Sequence, residues 1–329
     1  MITVDKLNFV LIIFSFIAAC FLPFELFLFS YAFFGPLHYL TETNWIRDKN
    51  YFVTNKHWKY VVLFSAIIYS LPFVFSLPFW HQVINDSIVS FFTKTLIVYT
   101  NIILLFILVS AISIRFFKTY KAFIISLSIT LLFSLWIYKT DVYVLIVGLL
   151  IPTIIHVYVF TLLFMIYGVK KDKNLFNIIN VFLLLLLPLS LLFIDTDIFN
   201  YRFSEAIKEN YLSNNFHALN ANLAQIFGVY EGLKFFFYEK IDLKIQIFIA
   251  FAYIYHYLNW FSKTTIIGWH KQLNKKKGVI ILLLWILILI AYLYDYRLGI
   301  IVSIFFSISH VMFEIPLNIL TIKSLFRLK

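Results

Sequence analysis

Two of the eight histidines in this chain are followed four residues later by a glutamate, and both pairs lie inside apolar stretches. They are His38 and Glu42 in Gly-Pro-Leu-His-Tyr-Leu-Thr-Glu, and His310 and Glu314 in Ser-His-Val-Met-Phe-Glu. On a helix, residues i and i+4 lie one turn apart on the same face. A charged side chain at the centre of a bilayer costs roughly 2.5 to 3.5 kcal/mol even on a lenient scale, so a membrane helix has few reasons to carry such a pair. Imidazole and carboxylate on one face is a common way for a helical bundle to hold a transition metal. A helix-packing hydrogen bond is the plain alternative for each pair taken alone.

Four more histidines fall within or at the ends of apolar segments: His156, His217, His256 and His270. His256 has Asn259 one turn on, at i+3, in Tyr-Ile-Tyr-His-Tyr-Leu-Asn-Trp. His270 follows fourteen residues later, about 21 Å along a straight helix, so one metal ion could take both only if the chain bends near Gly268. His156 follows Pro152, and His217 sits in a segment rich in asparagine. The remaining two, His57 and His81, stand beside Trp58 and Trp80, as amphipathic rings do at a membrane interface. Imidazoles in excess of carboxylates suit iron, zinc or copper rather than magnesium or calcium. Glu42 and Glu314 could bind such a metal directly, or orient the histidines by accepting from their second ring nitrogen. Both roles stay open, as does a third, in which the His/Glu pairs carry protons.

The elements that must position these residues are membrane helices. The chain is 62% hydrophobic and 13% charged, where soluble domains run near a quarter charged. Apolar segments recur from end to end: 7–21, 23–45, 60–79, 87–114, 122–138, 142–167, 175–194, 212–237, 245–261, 279–294 and 298–320. The expected fold is an all-α, polytopic transmembrane bundle of roughly 9–11 segments, forming one integral membrane domain over residues 1–329. Pro23 and Glu25 break the first long run, and a tight helix–helix turn is expected there. The N-terminal segment lacks a small-residue cleavage site and reads as a retained helix.

The net charge of +11 sits in short loops: Lys56 and Lys59, Arg115 to Lys121, Lys170 to Lys173, Lys271 to Lys277, and Lys323 to Lys329. That is the pattern of cytoplasmic loops, not of a nucleic-acid surface, and it places the C-terminus in the cytoplasm. Three apolar segments between Lys173 and Lys271 give the wrong parity, so one of them does not cross. Segment 212–237 is the candidate, re-entrant or buried against the bundle, because it holds Asn214, Asn215, His217, Asn220, Asn222, Gln225 and Glu231. The single cysteine, Cys20, excludes an intramolecular disulfide and a paired-cysteine metal site. No glycine-rich phosphate loop, nucleophile elbow or zinc-protease motif is present.

The histidines and their neighbours resemble a family, the Brp/Blh-type membrane β-carotene dioxygenases. That family carries Gly-x-Pro-His-Gly-x-x-Asp near its N-terminus and single histidines on later helices. Here Gly35-Pro36-Leu37-His38-Tyr39-Leu40-Thr41-Glu42 is similar to the first motif and keeps the spacing from histidine to acid. Proline is shifted by one place, Tyr39 stands for the glycine and Glu42 for the aspartate. Phe216-His217, Tyr255-His256 and Ser309-His310 are similar to the later motifs.

The resemblance implies a metal-dependent membrane oxygenase with non-haem iron, zinc or copper being the other candidates. It implies His38, His217, His256 and His310 as the ligand set, while the residues themselves offer Glu42, Glu314, His156, Asn259 and His270 as outer or additional ligands. The partners implied are O₂ and a lipid-soluble substrate taken from the bilayer, β-carotene cleaved to retinal being the family reaction. The location implied is a bacterial inner membrane. The other class in play is a proton-coupled transporter or proton relay built on the intramembrane His/Glu pairs.

Overall fold

A computed structural model describes residues 3–53, 57–117 and 119–326. Lys56, Lys118, Arg327 and Lys329 of the predicted basic loops lie outside these residues. The described chain is helical with no strand. In chain order the main helices are α1 (Val4–Phe21), α2 (Pro23–Phe29), α3 (Gly35–Asp48), α4 (Trp58–Phe75), α5 (Asp86–Ile114), α6 (Tyr120–Ile137) and α7 (Asp141–Lys171). There follow α8 (Leu175–Ser190), α9 (Glu205–Ser213), α10 (His217–Ile226), α11 (Lys240–Ser262), α12 (Lys275–Tyr294) and α13 (Tyr296–Phe326).

Seven of these, α1, α4, α5, α6, α7, α12 and α13, are long and apolar enough to cross a membrane, and the chain is an all-α integral membrane protein. Local sequence sets their ends. Thr3, Thr119, Asn174 and Asn274 each cap a helix by accepting a backbone N–H from the first turn. The chain turns sharply at Leu22, and Pro23 opens α2, where its missing N–H costs nothing.

Four of the eleven predicted segments do not give such a span. Segment 23–45 becomes α2 and α3 joined by a π-helical turn over Ser30–Phe34. Pro36 cannot donate into the preceding turn, so the ladder widens there while the chain stays helical. Segment 175–194 gives only the sixteen residues of α8. Segment 212–237 breaks up: α10 is ten residues long, and Gly228 and Gly232 then turn the chain through positive φ. Segment 245–261 lies in α11, a long helix that is buried almost all round.

The chain forms two compact units. The first comprises Met1–His38, Thr153–Leu273 and Ser324–Lys329. Its core is α11. Phe251 meets Phe16 of α1 edge to face at 5.6 Å, and Tyr253 meets Phe27 of α2 at 5.0 Å. Gln246 ties three elements together: its Oε1 accepts from the Tyr211 hydroxyl at 2.6 Å, and its Nε2 donates to the Pro23 carbonyl at 3.0 Å. Asn220 of α10 donates to the main-chain carbonyl of Asp242 at 2.8 Å, which holds the polar segment against α11.

The second unit comprises Tyr39–Pro152 and Asn274–Lys323. The Trp58 indole of α4 donates to Ser110 Oγ of α5 at 3.0 Å, and Ser113 of α5 meets Ser126 of α6 at 2.6 Å. Gly299 lets α13 approach α12 closely, since a Cβ there would fall 2.2 Å from the Tyr292 ring.

Candidate metal centre

Three histidines of the first unit converge. His38 lies on α3 just after the widened turn, His156 on α7 and His256 near the middle of α11; all are buried. The His256 ring meets that of His38 with centroids 4.6 Å apart and that of His156 at 5.1 Å. His256 Nε2 stands 3.0 Å from His38 Nε2. One ring nitrogen of His156 lies within 4.8 Å of one on His38. Trp260 packs edge-on against His38 at 5.6 Å, and Tyr257 lies against both His38 and His256.

The helix carrying His156 explains its aim. Residues Val144–Phe160 are π-helical, and Pro152, which cannot donate a backbone hydrogen bond, lies inside that stretch. Bonds from i to i+5 bring residues five apart onto one face, which α-helical periodicity would separate. Thr161, five residues after His156, begins the α-helical part. Its hydroxyl lies 2.8 Å from His256 Nδ1 and 2.8 Å from the Val157 carbonyl.

The donor set fits a transition metal. Two nitrogens bound to one ion at about 2.0–2.1 Å lie roughly 2.9–3.4 Å apart for angles between square and tetrahedral. The separation of His38 and His256 falls in that range. Soft-to-borderline nitrogen donors without a carboxylate among the three favour iron, zinc or copper over magnesium or calcium.

Of the other predicted residues, His217, His270 and Asn259 have different surroundings within the first unit. His217 opens α10, its ring meets Phe235 at 6.2 Å, and partial burial holds its pKa below the ordinary imidazole value. It is not among the three histidines that meet. His270 is exposed on a single turn at Trp269–Gln272 and donates from Nδ1 to the Thr264 carbonyl at 3.0 Å. Asn259 belongs to a polar set with Tyr255, Asn8 and Ser262.

His310, Glu42 and Glu314 are in the second unit, all three buried. His310 bonds through Nδ1 to the Ser307 carbonyl of its own helix and stacks obliquely on Tyr39 at 5.4 Å. The carboxyls of Glu42 and Glu314 interact electrostatically. Helix α13 runs on through Pro316, just past this pair. In the first unit, then, the residue that sequence reasoning placed in an outer role, His156, lies in the cluster. Nothing in the sequence singles out Thr161 except its place five residues after His156, in a helix that holds Pro152.

Comparison of the chain with protein-family models, with curated proteins and with solved structures finds no match.

Proposed function

We propose that this protein is a metal-dependent membrane oxygenase acting on a long apolar substrate that enters from the bilayer. The observation that supports it most is the meeting of three buried imidazoles from three separate helices. Imidazoles that meet at the separation a shared ion would impose form a nitrogen donor set suited to a transition metal. His38, His156 and His256 would hold the ion, which supplies the binding and activation of O₂. Iron is preferred, with zinc and copper as alternatives. The sequence resemblance keeps His310 and His217 as further candidate ligands.

The chain's own contribution is placement and dryness. Three helices fix the rings, and Trp260 and Tyr257 cover their edges and keep water from a reactive site. The resemblance to the Brp/Blh family makes β-carotene the first substrate to test. Cleaving its central double bond with one O₂ gives two retinal molecules, each taking one oxygen atom, and needs no external reductant. The basic loops support a cytoplasmic C-terminus, and a bacterial inner membrane is the proposed location.

Expression in a β-carotene-accumulating bacterium tests the substrate. Loss of colour with appearance of retinal is expected. An unchanged pigment profile, with the protein folded and metal-loaded, removes the carotenoid and leaves the oxygenase.

A second reading, a proton-coupled transporter or relay, draws on one observation: the buried, interacting carboxyls of Glu42 and Glu314. A pH-driven flux in proteoliposomes that survives chelation would favour it.

A further inference from the structure

We infer that Thr161 is a positioning residue that fixes the tautomer of His256 and so aims a bare Nε2 lone pair into the histidine cluster. The inference deepens the metal-centre reading, yet its first test does not depend on any metal.

A threonine hydroxyl has one proton to give. Thr161 is buried, and its hydroxyl donates to the Val157 carbonyl one turn back at 2.8 Å. Its oxygen can then only accept on the other side, where His256 Nδ1 stands at 2.8 Å. Nδ1 must therefore carry the imidazole proton. A neutral His256 then has no proton on Nε2, the nitrogen that lies 3.0 Å from His38 Nε2. A ligand histidine whose other nitrogen donates to a fixed acceptor is oriented and made more basic, and loss of that acceptor weakens metal binding.

The π-helical stretch makes the arrangement possible. Five residues separate His156 from Thr161, one turn where bonds run i to i+5. One helix thus offers a candidate ligand and the acceptor that orients a second ligand on α11. Ending the π-helical register a residue earlier or later would turn one of the two away.

Nitrogen-15 NMR of ¹⁵N-histidine-labelled, metal-free protein in detergent reads the tautomer, with His256→Gln identifying the signal. Wild type should show His256 protonated at Nδ1. Thr161→Val removes the acceptor and keeps the shape, and should shift the population toward the Nε2–H form. Thr161→Ser should keep the wild-type pattern. An Nε2–H wild type, or a Val variant with unchanged tautomer, overturns the inference; the wild-type spectrum decides alone if the Val variant does not fold.

Equilibrium dialysis with Co²⁺ supplies the second readout. Thr161→Val should weaken binding about 10- to 100-fold and Thr161→Ser should restore it. Equal affinity of Val variant and wild type would sink the positioning role. No Co²⁺ binding by wild type would instead remove the metal-centre reading and leave the tautomer result standing.

Discussion

Helices α6 and α11 are both largely apolar, yet they live in different surroundings. In α6 only Thr130 and Ser134 are buried, while Leu132 and Trp136 are 69% and 80% exposed. In α11 sixteen of the twenty-three residues are buried, among them Asp242, Gln246, His256 and Asn259. The greasier face of α6 points outward, as it must where lipid is the solvent, and its small hydroxyl residues point in. Their hydroxyls bond back to their own helix, Thr130 to Ser126 and Ser134 to Thr130. Helix α11 buries nearly every face, so it can carry polar side chains only where a partner waits. Buried polar side chains thus mark the interior of this chain, and the helix that buries most of its length also carries His256.

Substitutions in the two helices should separate the two environments. The largest effect is expected for Phe251→Ala in α11, whose ring is wholly buried against Phe16. It should cost about 3–5 kcal/mol in reversible unfolding by denaturing detergent, followed by circular dichroism. Ser134→Leu puts a bulky side chain on the buried face of α6 and should cost about 1–3 kcal/mol by the same measurement, despite making the helix more apolar. Two residues away, Leu132→Ala should stay within about 0.5 kcal/mol, because that side chain touches little protein. A Leu132 effect as large as that at Phe251 would mean α6 is covered by something other than lipid.

Much of the fold is legible in the sequence because membrane helices obey a length rule. Runs of about twenty apolar residues gave seven spans, and the asparagine-rich stretch after Leu212 was too polar to be one. Hydropathy does not say which helices pack on all sides, so segment 245–261 reads as a span although α11 is buried almost all round. His38 and His256 were visible as costly groups in apolar surroundings. The place of His156 was not, since its partners depend on a π-helical register that no α-helical periodicity anticipates. Thr161 was hidden for the same reason, being an ordinary residue made important by a neighbour ninety-five positions away.

The metal content of purified protein, reconstituted with Fe²⁺ under anaerobic conditions and freed of loosely bound ion, decides whether the histidine cluster is a metal centre. Wild type should hold a stoichiometric transition metal, and His38→Ala, His156→Ala and His256→Ala should each lose it while keeping the helical circular dichroism of wild type. A wild-type protein that keeps no iron, zinc or copper, or His variants that keep as much as wild type, would contradict it.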